Sequence, residues 1–129
     1  MKLLLDTHVW LWTLVSPQRI PSDTRALLAE PENTLVLSAA SSWEIAIKWR
    51  LGKLPLPEPP AQFIPPRLVR DGIEPLSVQH HHAQAVAELP EHHKDPFDRL
   101  LVVQARIERL ILVTADPKLA DYDVELRVI

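Results

Sequence analysis

Short apolar runs that alternate with longer amphipathic segments constrain the fold of this chain more than any other feature. Five runs predict strands, over residues 2–5, 34–37, 73–76, 111–114 and 124–129. Between them, the spacing of apolar residues predicts helices over 7–15, 22–30, 41–51, 77–89 and 96–110, and a short helical turn over 115–120. Strands that alternate with helices predict an α/β protein whose parallel sheet is covered on both faces.

One segment departs from this alternation. Residues 54–66, LPLPEPPAQFIPP, contain six prolines, which predict a stiff and extended connection, with a short helix somewhere within 62–71. Too little chain follows this segment for an independent second domain. A chain of 129 residues suits one domain, so we expect residues 1–129 to form a single unit.

Composition excludes several classes of protein. The chain has no cysteine, which rules out disulfides, zinc-thiolate sites and thiol nucleophiles and favours a cytoplasmic location. Its two glycines cannot build a phosphate-binding glycine loop. The apolar N-terminus is interrupted by Asp6 and His8, so it predicts neither a signal peptide nor a membrane span. A net charge of −3 means that contact with a polyanion requires a local patch or a bound cation.

Four acidic residues fall at equivalent points of the predicted βα units. Asp6 and Asp116 directly follow strands, whereas Glu44 and Asp98 lie in the first turns of predicted helices. In a right-handed parallel α/β sheet the carboxyl ends of strands and the N-termini of helices share one edge, where ligands bind. We therefore expect the four carboxylates to converge there.

Helix capping is an alternative interpretation of the same residues. Ser41 and Glu44 have the spacing of a capping box, and Asp95 before a proline is a natural N-cap that places Asp98 at the third helical position. Asp116 also precedes a proline. Asp6 is the hardest to explain by capping alone, because a carboxylate that ends a buried strand is costly unless it is paired.

Convergence of the four acids would require a counter-charge. Two unit charges about 4 Å apart repel by roughly 4 kcal/mol at an effective dielectric constant near 20. Protons or a divalent cation must relieve this repulsion. Oxygen ligands without a nearby cysteine favour Mg²⁺ or Mn²⁺, which activate water and neutralise phosphoryl groups.

Four blocks of the sequence resemble the PIN-domain family and, more narrowly, the VapC-like toxins of type II toxin–antitoxin pairs. The blocks are LLDTHVWLW (4–12), SAASSWEIAIKWRLGKL (38–54), HKDPFDRLLVVQA (93–105) and LVTAD (112–116). The resemblance implies a three-layer α/β/α fold with a five-stranded parallel sheet. It also implies Mg²⁺- or Mn²⁺-dependent endoribonuclease activity.

Carried over residue by residue, the family's acidic quartet falls on Asp6, Glu44, Asp98 and Asp116. Three residues match positions that support the site: Thr7, Thr114 and Asp95. Our hypothesis is that the three aspartates of the quartet hold the cation, directly or through water, and that Glu44 completes the shell or orients the attacking water. Metal-activated water would then hydrolyse an RNA phosphodiester and leave a 5′-phosphate and a 3′-hydroxyl.

Basic and aromatic residues near these blocks have weaker interpretations. Lys48, His93 and Arg99 are candidate RNA contacts, and Arg99 could instead pair with an acid. The run His80–His82 predicts a solvated helix face rather than a metal site, because consecutive helical residues point in different directions. The four tryptophans favour core packing or a protein interface over base stacking.

The resemblance also implies partners. It implies a cognate antitoxin that covers the active site, with an arginine that meets the acids, and a homodimer. Other functions stay open from the residues alone: a PIN-type nuclease for RNA processing, a catalytically silent binding or assembly module on the same fold, and an aspartyl-phosphate enzyme. The last fits poorly, because His8 stands where a haloacid-type phosphatase has its second acid.

Overall fold

The strands form one parallel sheet in the computed structural model, which describes residues 1–129. Its order is β3-β2-β1-β4-β5, and every neighbouring pair is parallel. The bounds are β1 Lys2–Leu5, β2 Thr34–Ser38, β3 Glu74–Leu76, β4 Ile111–Thr114 and β5 Leu126–Val128. The predicted five-stranded parallel sheet is confirmed, with end strands shorter than the apolar runs indicated.

Six α-helices and three short 3₁₀ turns connect the strands. The helices are α1 Thr7–Val15, α2 Ser22–Ala29, α3 Ala39–Arg50, α4 Pro60–Asp71, α5 His80–Ala85 and α6 Pro96–Glu108. The 3₁₀ turns are Pro17–Arg19, Val86–Glu88 and Pro117–Asp121. No helix has both the length and the apolar character needed to span a membrane.

Side chains alternate between the two faces of the sheet along each strand, and this produces two cores, one on each face. Leu4 packs with α6 residues such as Leu101 in one core, whereas its neighbours Leu3 and Leu5 pack with Trp10 in the other. Successive side chains of a strand point to opposite faces, so one apolar run supplies both layers. This arrangement is the three-layer α/β/α sandwich expected from the sequence.

The proline-rich segment is more helical than predicted. The helix α4 begins at Pro60, and Pro65 and Pro66 lie inside it, so the expectation of an extended chain through residue 66 is wrong. Interior prolines remove backbone hydrogen bonds. Burial of Phe63 and Ile64 in the core offsets that loss, because the helix must pack its apolar face against the sheet.

The histidine run also differs from the prediction. A helix was expected over 77–89, but α5 covers six residues and a 3₁₀ turn follows it. His80 and His81 are exposed, as expected of a solvated face, whereas His82 is fully buried. The His82 ring accepts a hydrogen bond from Gln79 N–H at Nδ1 and contacts Glu108 through Nε2 at 2.9 Å, which compensates its burial.

Candidate active site

Asp6 lies where β1 ends and α1 begins, and it serves both structures. One carboxylate oxygen caps α1 by accepting from Val9 N–H at 3.0 Å, and the other accepts from the Thr114 hydroxyl at 2.6 Å. The side chain is buried, and desolvation raises the pKa of Asp6 above its usual range despite these bonds. Asp6 therefore caps α1 and also lies at the carboxyl edge of the sheet.

Thr114 joins the first and last acids of the site. While its hydroxyl donates to Asp6, its oxygen accepts from Asp116 N–H at 3.1 Å. The Asp116 carboxylate accepts from Lys118 N–H at 3.0 Å and contacts His93 Nε2 at 2.8 Å. Partial desolvation raises the pKa of Asp116, but the two hydrogen bonds outweigh it and hold that pKa below its usual value. Asp116 is therefore ionised at neutral pH.

Asp98 lies in the first turn of α6 and has the most perturbed carboxyl group. Asp95 caps this helix by accepting from Phe97 N–H at 2.9 Å and Asp98 N–H at 3.3 Å, as the sequence predicted. The Asp98 carboxylate lies 3.5 Å from His93 Nε2. Burial, followed by the negative charges of Asp95 and Asp6, raises the pKa of Asp98 to about 7.

Glu44 is buried but lies in the second turn of α3, because that helix begins earlier than predicted. Ser38 is the N-cap, so the expected capping box of Ser41 and Glu44 is wrong. The Glu44 carboxylate instead forms an ion pair of 2.5 Å with Lys48. Its charge also helps to raise the pKa of both Asp6 and Asp98, which places Glu44 next to the cluster.

Thr7 supports the site from behind. It is buried, and its hydroxyl donates to the Ser41 hydroxyl at 2.9 Å. This bond links the start of α1 to the first turn of α3, the two helices that carry Asp6 and Glu44. Thr7 therefore sets the relative position of two of the acids without contacting either carboxylate.

A cleft of about 390 Å³ opens at the carboxyl edge of the sheet, and three of the four acids line it. Its walls are Asp6, His8, Trp12, His93, Asp95, Asp98, Ala115, Asp116 and Pro117. Trp12, for which we expected core packing or a protein interface, lies one helical turn beyond His8 and forms part of the cleft wall. A larger cavity of about 510 Å³ between α1, α2 and α4 contains none of these acids, so the chemistry rather than the volume identifies the site.

The three candidate RNA contacts have different surroundings. His93 is in the cleft, and Lys48 borders the cluster through its pair with Glu44. Arg99 pairs with no carboxylate; its guanidinium donates to main-chain oxygens of residues 86–93 and to the Tyr122 hydroxyl. The expectation that Arg99 pairs with an acid is therefore wrong, and its hydrogen bonds hold the loop before α6.

The donor set fits a divalent cation of the Mg²⁺ type. Asp6, Asp98 and Asp116 offer only oxygen ligands, and the carboxylate of Asp98 has few hydrogen bonds of its own. Desolvation and like charge both disfavour ionised Asp98, and a bound cation would reverse this preference. The cleft therefore has the oxygen ligands and the volume for such a cation and its water ligands.

The sequence profile of the PIN domain matches residues 3–125, nearly the whole chain. The chain belongs to the PIN domain family. A curated relative of this PIN domain is Ribonuclease VapC16 of Mycobacterium tuberculosis, 56% identical over 61 residues. That match covers 47% of this chain and 43% of the relative, so the aligned part spans less than half of either protein.

Solved structures share the fold of this PIN domain. A chain in the crystal structure of VapBC2 from Rickettsia felis, bound to a DNA fragment from its promoter, superposes with a TM-score of 0.74 at 19% identity. The match covers 99% of this chain and 98% of that one. A toxin–antitoxin complex from Klebsiella pneumoniae has a chain that superposes with a TM-score of 0.62 at 17% identity, over 93% and 92% of the two chains. These likenesses establish the three-layer fold.

Proposed function

We propose that this PIN domain is a divalent-metal-dependent endoribonuclease that acts as the toxin of a toxin–antitoxin pair. The observation that carries the proposal is the convergence of Asp6, Asp98 and Asp116 on one cleft, where burial and the negative charges of its neighbours raise the pKa of Asp98. A cluster of this kind is costly to a fold that uses it only for capping. The identity to Ribonuclease VapC16 supports RNA as the substrate class.

In this proposal Asp6, Asp98 and Asp116 hold Mg²⁺ or Mn²⁺, and Glu44 completes the shell or orients water. When bound, the cation would supply an activated water and neutralise charge on the phosphodiester. Thr114 keeps the Asp6 carboxylate in place, and Asp95 holds Asp98 at the start of α6. Lys48, whose ammonium group pairs with Glu44, is a candidate contact for a neighbouring phosphate.

The activity can be tested with purified protein and a long structured RNA. We expect cleavage that requires Mg²⁺ or Mn²⁺, stops with a chelator, and leaves 5′-phosphate and 3′-hydroxyl ends. Asp6→Asn should lose the activity, whereas Asp123→Asn, which alters an exposed acid away from the cleft, should retain it. Products with a 2′,3′-cyclic phosphate would contradict the mechanism, because they require attack by the ribose hydroxyl.

The proposed partner is an antitoxin whose arginine enters the cleft. A guanidinium donates two parallel hydrogen bonds to a carboxylate, so it would relieve the repulsion around Asp98 as a cation does. Co-expression with the adjacent small reading frame should remove any growth arrest caused by this chain. Growth arrest that persists in the presence of that product would count against the pair.

We further propose that the chain acts as a single domain, in the cytoplasm, as a homodimer. The helix α3 and its end expose Trp43, Ile47 and Leu51 at four-residue spacing, and Trp43 is 56% exposed. An apolar stripe of this kind is typical of a surface covered by a partner. Analytical ultracentrifugation of the wild type and of Trp43→Glu would test this, with a dimer expected only for the wild type.

A further inference from the structure

Every polar group of His93 has a hydrogen-bond partner. Its N–H donates to the Tyr122 hydroxyl at 3.0 Å, and its C=O accepts from Arg99 at 3.3 Å. Its ring nitrogen Nδ1 accepts from Asp95 N–H at 3.0 Å, and Nε2 contacts Asp116 at 2.8 Å. The position and rotation of the ring are therefore both fixed.

These contacts also determine which ring nitrogen carries the proton. A main-chain N–H can only donate, so Nδ1 must offer its lone pair to Asp95 N–H, and the proton of the neutral ring lies on Nε2. Ligand atoms of His93, Asp98 and Asp116 lie within 4.8 Å of one another, as metal ligands would. A protonated Nε2 has no lone pair for a metal, so His93 is a hydrogen-bond donor in this cluster.

We propose that His93 is a positioning residue whose Nε2–H group fixes the orientation of the Asp116 carboxylate at the cation site. This inference rests on the proposed function, because it assigns Asp116 to that site. Lys118 N–H holds one carboxylate oxygen at 3.0 Å and His93 holds the other at 2.8 Å. Each oxygen keeps a free lone pair, so the carboxylate is oriented while it remains able to bind a cation.

The loop that carries His93 is itself held by Arg99 and Tyr122. Arg99 donates to the C=O groups of Val86 and Leu89 at 3.2 and 3.4 Å, and its other terminal nitrogen reaches Pro90 C=O at 2.9 Å and Tyr122 Oη at 3.2 Å. Tyr122 is buried in the core beside α6. The guanidinium thus connects the helix of Asp98 to the loop that orients Asp116.

Two substitutions at His93 separate its two ring contacts. The amide nitrogen of glutamine occupies nearly the position of Nε2, so His93→Gln keeps the donor toward Asp116 and loses the acceptor for Asp95 N–H. The shorter asparagine occupies nearly the position of Nδ1, so His93→Asn keeps that acceptor and loses the donor. A residue that served only the loop would be replaced better by asparagine than by glutamine.

The test is calorimetric titration of the full chain with Mn²⁺, with the fold of each variant checked by circular dichroism. Loss of a group that orients a metal ligand weakens metal affinity by about 10- to 100-fold. We expect a loss in this range for His93→Asn and a change below about threefold for His93→Gln. Tyr122→Phe, which removes the acceptor of His93 N–H, should give an intermediate loss without touching the acids.

A second measurement identifies the protonated ring nitrogen of His93 directly and needs no metal. Long-range ¹H–¹⁵N NMR of the metal-free wild type near pH 8 should give His93 a protonated Nε2 and an unprotonated Nδ1. The opposite tautomer would overturn the inference, as would equal Mn²⁺ affinities of the wild type and His93→Asn. Failure of the wild type to bind Mn²⁺ is a different outcome, since it would overturn the proposed function and the positioning role together.

Discussion

Replacing Asp98 by asparagine should stabilise the metal-free protein while it destroys the cation site. In the folded chain the pKa of Asp98 is raised from 3.8 to about 7 by burial and by neighbouring negative charge. The folded state therefore binds a proton more tightly than the unfolded state does. This contribution to stability is fully present below pH 3.8, and it is lost as the pH rises through about 7.

The size of this change in stability follows from the shift in the pKa of Asp98. One pKa unit corresponds to roughly 1.4 kcal/mol, so between pH 5 and pH 8 the wild type should lose up to about 3 kcal/mol through this group. The side chain is 20% exposed, and solvent screening reduces that figure to about 1 to 2 kcal/mol. Asparagine does not titrate. The free energy of unfolding of Asp98→Asn, relative to that of the wild type, should therefore increase by this amount between pH 5 and pH 8.

Urea unfolding in EDTA at pH 5 and pH 8 would measure this difference. Asp123→Asn is the control, because it removes one negative charge from an exposed side chain that is in no ion pair and lies outside the cleft. Added Mn²⁺ should reverse the order by stabilising only the wild type. A stability difference between wild type and Asp98→Asn that stayed constant or shrank from pH 5 to pH 8 would show that the folded state does not hold a proton on Asp98.

Substitutions at four further positions test individual parts of the structure. Thr114→Val should cost about 1 to 3 kcal/mol in urea unfolding and weaken Mn²⁺ binding, because it leaves one oxygen of the buried Asp6 carboxylate without a donor, whereas Thr114→Ser should restore both. His82→Ala should cost about 2 to 4 kcal/mol with unchanged Mn²⁺ affinity, and a loss of affinity would show that this buried ring supports the site. Phe63→Ala should lower stability by about 3 to 5 kcal/mol, and a loss below 1 kcal/mol would mean that burial does not hold α4. Asp95→Ala should cost about 1 kcal/mol and Asp95→Ser much less, since serine also caps helices; equal losses would contradict the capping role.

The sheet could be predicted from the sequence because its signal is local. Runs such as residues 2–5 and 111–114 are apolar and short, and alternation with helices leaves few topologies. Convergence of Asp6, Asp98 and Asp116 followed from the same rule, since strand and helix ends share an edge. The cap at Asp95 was also predictable, because an acid followed by a proline is a local pattern.

Features that depend on tertiary packing could not be read from the sequence. Pro65 and Pro66 oppose a helix locally, and only the burial of neighbouring residues explains why α4 continues through them. The start of α3 at Ala39 moved Glu44 from the first turn to the second, a shift within the usual error of predicted helix ends.

Long-range hydrogen bonds explain the remaining differences. His82 looked like part of a solvated run, yet Gln79 and Glu108 satisfy its ring inside the fold. The partners of His93 include Asp116 and Tyr122, which are 23 and 29 residues away along the chain. No local pattern connects such residues.

The decisive measurement is calorimetric titration of the wild-type chain and of Asp98→Asn with Mn²⁺ in the absence of any antitoxin. It requires no knowledge of the RNA target. The proposed cation site requires that the wild type binds Mn²⁺ and that the substitution abolishes binding while the protein stays folded. Absence of binding to the folded wild type at millimolar Mn²⁺ would contradict it, and would leave the acids as helix caps on a non-catalytic module.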